Sequence, residues 1–212
     1  MLALLPFLMA LGIGFMHAFE ADHLVAVSNI VTRHNNVRRA LKDGVFWGLG
    51  HTSTILLVGL VYVTGRFVWQ AGDFHYAEAG VGGMLVMLGV FRLYKLTAPT
   101  TGHEQEHLHP QASADGNAHR LAYGVGLLHG LAGSGTLVLS VLTQIQGGGA
   151  GMLYLTLFGL GSVGGMMVAA GVFSVPFSSQ LTRLPAVRTG LVLLSSGLCV
   201  LLGVRLIIEN LS

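Results

Sequence analysis

The chain has 212 residues, of which 52% are hydrophobic and only 9% are Asp, Glu, Lys or Arg. Soluble domains carry about 25% charged residues, so this composition excludes an ordinary soluble enzyme, a nucleic-acid-binding protein and a disordered chain. The net charge of +2 indicates little by itself, and the single cysteine, Cys199, excludes an intrachain disulfide. We therefore expect an integral membrane protein that contacts the lipid bilayer.

A helix needs about 20 mostly apolar residues to cross the hydrocarbon core of a bilayer. Six runs of this kind cover residues 2–30, 45–63, 77–93, 121–142, 152–173 and 189–208. None shows the two-residue alternation of a β-strand. The first has neither a positively charged start nor a small-residue cleavage site, so we interpret it as a span and not a signal peptide. The predicted fold is all-α, with six transmembrane helices.

The basic residues indicate how the spans are oriented. The first, third and fifth loops hold most of them, namely Arg33, Arg38, Arg39, Lys42, Arg92, Lys95, Arg120, Arg183 and Arg188. Only Arg66 and Arg205 lie on the opposite side. Because basic residues concentrate in cytoplasmic loops, we predict a multi-pass plasma-membrane protein with both termini outside.

Three short patterns recur along the chain at nearly constant spacing. Residues 12–18 resemble residues 124–130, residues 47–51 resemble residues 158–162, and Gly89-Val90 recurs as Gly203-Val204. The offsets are 112, 111 and 114 residues. We predict a duplication, with one three-helix repeat in residues 1–97, a His-rich cytoplasmic linker in 98–119 and a second repeat in 120–212.

Three spans per repeat place the second repeat upside down in the bilayer. Inverted repeats are typical of transporters, in which the substrate site lies near the midplane between the halves. The duplication therefore favours transport over a receptor or a structural role.

The first span contains four ionisable residues within seven positions: His17, Glu20, Asp22 and His23. One Asp at the centre of a span costs about 2.5–3.5 kcal/mol, so the group needs partners, water or a bound cation. An interfacial position is the alternative, but it would leave the apolar residues 24–31 exposed. At about 100° per residue, a straight helix cannot direct His17, Asp22 and His23 at one ion. Either the helix opens locally, or its different faces meet different partners. The counterpart segment, residues 129–135, has three glycines and is a poor helix. We therefore expect the first helix of each repeat to be broken.

The second span carries His51 next to Gly48 and Gly50, followed by three hydroxyl residues at 52–54. The hydroxyls are expected to bond carbonyls of their own helix, whereas His51 is a candidate ligand. The predicted metal ligands are His17, Asp22, His23 and His51, with His129 as an additional candidate. Imidazoles with one carboxylate suit Ni²⁺, Co²⁺, Zn²⁺ or Cu²⁺ better than Mg²⁺ or Ca²⁺.

These two motifs resemble those of the nickel/cobalt permease family. The spacing His17-x₄-Asp22-His23 in one span and the sequence LGHTST at residues 49–54 in the next carry the resemblance. The chain is particularly similar to the short, urease-accessory-type members of that family. The resemblance implies uptake of divalent nickel or cobalt, with His17, Asp22 and His23 essential.

The predicted linker contains His103, His107, His109 and His119. His-rich tracts often bind metal loosely, so this one could pass the ion to cytoplasmic metal-receiving proteins. A merely solvated linker is the alternative.

The predicted function is a secondary permease that moves Ni²⁺ or Co²⁺ into the cytoplasm, with the ion as substrate and no resident cofactor. The chain has no P-loop and so is not expected to hydrolyse ATP. The alternatives are a transition-metal exporter, an intramembrane hydrolase in which Glu20 activates a zinc-bound water, and an anion exporter. The sequence leaves the oligomeric state open.

Overall fold

The computed structural model describes residues 5–31, 36–65, 75–97, 111–132, 135–145, 147–175 and 185–211. These parts of the chain are helical and contain no strand, which confirms the predicted all-α class for them. In chain order the helices are α1 (Leu5–His17), α2 (Ala21–Val31), α3 (Val37–Val63), α4 (His75–Thr97), α5 (Gln111–Ala132), α6 (Gly135–Gln144), α7 (Gly148–Ser174) and α8 (Pro185–Leu211).

Within the described ranges, four helical segments are long and apolar enough to cross a membrane. They are α3, α4, α7 and the part of α8 from Thr189 to Leu211. Helix α1 is also apolar but has only 13 residues. The chain is therefore a multi-pass membrane protein. The first and fourth of the six predicted spans are each divided into two helices, α1 with α2 and α5 with α6.

The chain leaves the helical path between α1 and α2. Helix α1 ends at His17, and the backbone N–H of Glu20 donates to the carbonyl of His17 at 3.1 Å. Helix α2 then begins at Ala21, with Leu24 N–H bonded to the Glu20 carbonyl at 2.9 Å. In the second half, α5 ends at Ala132 and α6 begins at Gly135. The turn between α1 and α2 lies in a segment for which the sequence predicts a broken helix. Residues 133 and 134, between α5 and α6, lie outside the described residues.

Glycines allow the long helices to pack with their backbones in contact. Helix α3 packs against α5 and α7, α1 packs against α7, and α4 packs against α8. At several crossings a Cβ atom on the glycine would collide with backbone atoms of the other helix. These crossings pair Gly14 with Phe158, Gly126 with Trp47, Gly161 with Leu11 and Gly50 with Tyr123.

The buried apolar residues form two clusters at different depths. One joins Ala10 of α1, Ile55 and Val58 of α3, and Leu155 and Phe158 of α7. The other joins the opposite halves of α3 and α7, around Ala40, Trp47, Met166 and Ala170, with residues of α2, α4, α5 and α8. The middle of α3, where His51 lies, is between the two clusters.

The predicted linker contains helical structure. Helix α5 begins at Gln111, so residues 111–119 continue the fourth predicted span without a break. His103, His107 and His109 lie outside the described residues.

Adjacent glycines of α4 provide a test of the α4–α8 contact. A Cβ atom at Gly82 would lie 2.6 Å from the Gly203 carbonyl oxygen, whereas a Cβ atom at Gly83 would have no neighbour within 4 Å. Gly82→Ala should lower stability by about 1–3 kcal/mol, because the backbone of α8 must move. The control, Gly83→Ala, should be neutral or stabilise by up to about 1 kcal/mol through helix propensity. Thermal unfolding in detergent measures both, and equal melting temperatures for the two variants would contradict the packing.

Candidate metal centre

Three buried histidines meet in the interior of the protein. His17 ends α1, His23 lies in the first turn of α2, and His51 lies near the middle of α3. Each offers a ring nitrogen within 4.8 Å of those of the other two. The ring centroids of His17 and His23 are 4.7 Å apart, and the His51 centroid is 5.3 Å from each. One ion could contact all three rings.

The break after His17 is what brings the rings together. It allows the end of α1 and the start of α2 to direct His17 and His23 to the same side, toward α3. His51 lies 14 residues after the start of α3 and 12 before its end. At 1.5 Å per residue, roughly 20 Å of helix extends on each side of it. His51 therefore lies close to the middle of α3, and the rings of His17 and His23 lie beside it.

Two carboxylates and a fourth histidine surround this group. An ionised carboxylate can only accept hydrogen bonds, so the contacts fix the donors. His17 Nδ1 donates to Glu20 Oε1 at 2.8 Å, and His23 Nδ1 donates to Asp22 Oδ1 at 3.1 Å. The other Asp22 oxygen lies 3.9 Å from His129 Nε2, and the rings of His129 and His23 are 4.9 Å apart. The structure thus brings all five predicted ligands to one place.

The remaining ring nitrogens are buried and lack hydrogen bonds. Among the described residues, Nε2 of His17, His23 and His129 and both nitrogens of His51 have no hydrogen-bond partner. Buried polar atoms in proteins are nearly always bonded, and each unsatisfied one costs about 1–3 kcal/mol. Several lone pairs concentrated in one place form a donor set suited to a borderline-soft divalent ion.

Aromatic rings enclose the histidines. The Trp47 ring lies 5.6 Å from both His23 and His129, and the Phe158 ring lies 5.4 Å from His17. Both aromatic side chains are almost fully buried. They exclude water from the histidines, which strengthens electrostatic interactions within the site.

The hydroxyls that follow His51 are structural. The Ser53 hydroxyl donates to the Leu49 carbonyl of its own helix, as predicted. The prediction is wrong for Thr52, which donates to the Gly159 carbonyl of α7 at 3.1 Å. Thr54 contacts the Gly50 carbonyl of its own helix at 3.4 Å but donates to Leu127 of α5 at 3.0 Å. The bonds of Thr52 and Thr54 hold α3 against α7 and α5 next to His51.

The structure also contains a polar pair that the sequence analysis did not single out. Asp43, near the start of α3, is buried, and its Oδ1 accepts a hydrogen bond from His119 Nδ1 at 2.8 Å. The His119 ring stacks on Phe46 at 4.7 Å. The sequence signal that could have revealed this pair is Asp43 itself, a lone acidic residue beside the start of an apolar run. The pair joins α3 to α5 and so connects the two predicted repeats.

Buried histidines within long apolar helices define a multi-pass membrane protein with a polar centre. The urease accessory protein UreH of Bacillus sp. (strain TB-90) is 32% identical over 176 residues, which cover 81% of this chain and 77% of that protein. The high-affinity nickel transport protein of Cupriavidus necator is 32% identical over 89 residues, and the nickel transporter NixA of Staphylococcus aureus is 28% identical over 95. Each alignment covers 41% of this chain, and 25% and 28% of those two proteins.

The chain belongs to the nickel/cobalt permease family, close to UreH. These relatives are transporters and an accessory protein, which agrees with the prediction that the chain is not an enzyme. No family model and no solved structure matches the chain.

His119 and His75 each make one side-chain hydrogen bond, but they should differ in how much they contribute to stability, because only the partner of His119 is buried. His119→Ala should lower the free energy of unfolding by about 1.5–3 kcal/mol, because it removes a hydrogen bond from a buried carboxylate. His75→Ala is the matched control, since His75 contacts Asn210 at 3.0 Å on the exposed surface, and it should change stability by less than about 0.5 kcal/mol. Unfolding in detergent followed by tryptophan fluorescence distinguishes them. A His119 variant as stable as the control would contradict the assignment.

Proposed function

We propose that the protein carries Ni²⁺ or Co²⁺ across the plasma membrane, and that the ion passes through the site formed by His17, Asp22, His23, His51 and His129. The observation that carries the proposal is the group of three buried histidines, whose nitrogens lie within 4.8 Å of one another. One of them, His51, lies near the middle of a helix long and apolar enough to span a membrane. Histidines and acidic residues inside a membrane usually mark the path of an ion.

The names of the relatives support this choice of substrate. Two of the matched proteins are called a nickel transport protein and a nickel transporter, and the nickel transporter NicT of Mycobacterium tuberculosis is 36% identical over 59 residues. Nickel and cobalt both accept imidazole ligands, and proteins select between such metals by geometry and availability more than by raw affinity. The types of ligand present therefore do not identify which of the two metals is carried.

We further propose that the fold is an inverted duplication of six spans. In this interpretation α1 with α2 and α5 with α6 form one span each. The helix lengths support it, since α3 and α7 both have 27 residues and begin 111 positions apart. The crossings support it too: Gly14 with Phe158 corresponds to Gly126 with Trp47 at offsets of 112 and 111. The repeats would be residues 1–97 and 120–212, joined by residues 98–119, of which 111–119 belong to α5.

Inward transport is the proposed direction. With both termini outside, the linker is cytoplasmic and could deliver the ion to cytoplasmic metal-binding proteins. The membrane potential favours entry by about 2.3 kcal/mol per charge per 100 mV, so a dication gains about twice that.

Uptake of radioactive nickel tests the proposed function. Cells expressing the protein should accumulate the label, and His17→Ala, His23→Ala and His51→Ala should each reduce accumulation at least tenfold, because each removes a proposed ligand. His75→Ala, on the exposed surface, should accumulate nickel like the unaltered protein. Excess Co²⁺ should compete.

Other outcomes separate the alternatives. Lower accumulation in expressing cells than in empty cells would indicate an exporter. Accumulation that is unchanged by the protein and by all four substitutions would contradict transport of nickel.

The orientation of the chain in the membrane can be tested separately with reporter proteins placed at two positions. Alkaline phosphatase fused after Ser212 should be active, and green fluorescent protein at the same place should be dark, because the chain end is proposed to lie outside. The same two reporters inserted at residue 105, in the proposed cytoplasmic linker, should give the opposite result. If a reporter gave the same signal at residue 105 and after Ser212, both positions would lie on the same side of the membrane. That result would contradict three spans in the second repeat.

A further inference from the structure

We propose that Glu20 is a positioning residue of the metal site: its carboxylate holds the Nδ1–H group of His17 and thereby directs the Nε2 lone pair of His17 at the ion. The inference rests on the proposed function and adds a residue with a defined role, distinct from those proposed as ligands.

The hydrogen bond between the two side chains fixes the form of the imidazole. Glu20 Oε1 lies 2.8 Å from His17 Nδ1. Because an ionised carboxylate only accepts, the proton of this bond is on Nδ1. A histidine binds a metal ion in its neutral form, which has a single N–H group. In that form, the lone pair free for the ion is on Nε2 of His17. That atom is buried and has no hydrogen-bond partner among the described residues.

Two other histidines of the site have the same arrangement. His23 Nδ1 bonds Asp22 Oδ1 at 3.1 Å, and His129 Nδ1 bonds the Val125 carbonyl at 3.3 Å. In both, Nε2 is again the buried nitrogen without a hydrogen bond. Ligating histidines in proteins generally donate their second N–H to a carboxylate or carbonyl, which fixes the ring and its tautomer. The repeated pattern favours Glu20 as part of the support of the site.

The turn between α1 and α2 explains how Glu20 reaches His17. The two residues are three positions apart, and the Glu20 backbone N–H donates to the His17 carbonyl at 3.1 Å. The side chain of Glu20 is 55% exposed, whereas that of His17 is only 3% exposed. The carboxylate thus lies at the edge of the buried cluster and holds the ring of His17 from that side.

A direct ligand role is the competing possibility. Ligand atoms of Glu20, Asp22 and His23 also lie within 4.8 Å of one another. The two roles differ in what a glutamine at position 20 should do. Its amide oxygen can accept the His17 hydrogen bond, but a neutral amide is a poor substitute for a carboxylate bound to a metal.

The experiment measures Ni²⁺ affinity of the purified protein by equilibrium dialysis, together with the visible absorption spectrum of its Co²⁺ complex. Glu20→Ala should weaken Ni²⁺ binding about 10–100-fold, the usual effect of losing a group that holds a ligand. Glu20→Gln should bind within about threefold of the unaltered protein. Both variants should keep the Co²⁺ band positions, since no ligand is lost. The control is Glu209→Gln, which alters an exposed carboxylate paired with Arg205 away from the site.

Three results would overturn the inference. Equal losses in Glu20→Gln and Glu20→Ala with shifted Co²⁺ bands would make Glu20 a ligand. An unaltered Ni²⁺ affinity in Glu20→Ala would show that Glu20 has no role in binding the ion. Failure of the unaltered protein to bind Ni²⁺ at all would contradict the proposed function itself, and with it the role of Glu20.

Discussion

The interruption between His17 and Ala21 is the constraint on which the site depends. On a continuous helix, Asp22 and His23 would lie about 140° and 240° around the axis from His17, and their side chains could not share a centre. The short turn lets the end of one helix and the start of the next present both histidines to α3. It also places Glu20 against the outer nitrogen of the His17 ring.

The close packing of the long helices also helps to form the histidine site. Gly50 precedes His51 and lies against the backbone of α5, which allows that helix to bring His129 toward His23. Thr52 and Thr54, just after His51, bond carbonyls of α7 and α5 respectively. The rings of Trp47 and Phe158 exclude water from the same region. Close packing makes the unbonded nitrogens costly without a ligand. This cost supports the proposal that an ion occupies the site and exchanges several of its waters for imidazoles.

Much of this site could be predicted from the sequence because ionisable residues inside apolar runs are conspicuous. His17, Asp22, His23 and His51 stand out for that reason, and simple helix geometry indicates the break after His17. The division of the first and fourth spans follows from the same reasoning, together with the glycines after His129.

Other features depend on contacts between distant parts of the chain. Asp43 and His119 are 76 positions apart, and no local pattern connects them. The start of α5 at Gln111 could not be predicted, because the polar composition of residues 111–119 is typical of a linker. Thr52 and Thr54 both bond carbonyls of neighbouring helices, and Thr54 also contacts the Gly50 carbonyl of its own helix. The bonds to other helices depend on how closely α3 approaches α5 and α7.

X-ray absorption at the nickel edge, on the purified protein loaded with one equivalent of Ni²⁺, tests the central claim most directly. Coordination by at least three imidazoles predicts strong multiple scattering from histidine rings, with at least one ring lost in His51→Ala. A spectrum of oxygen ligands without imidazole scattering, unchanged in that variant, would contradict the account.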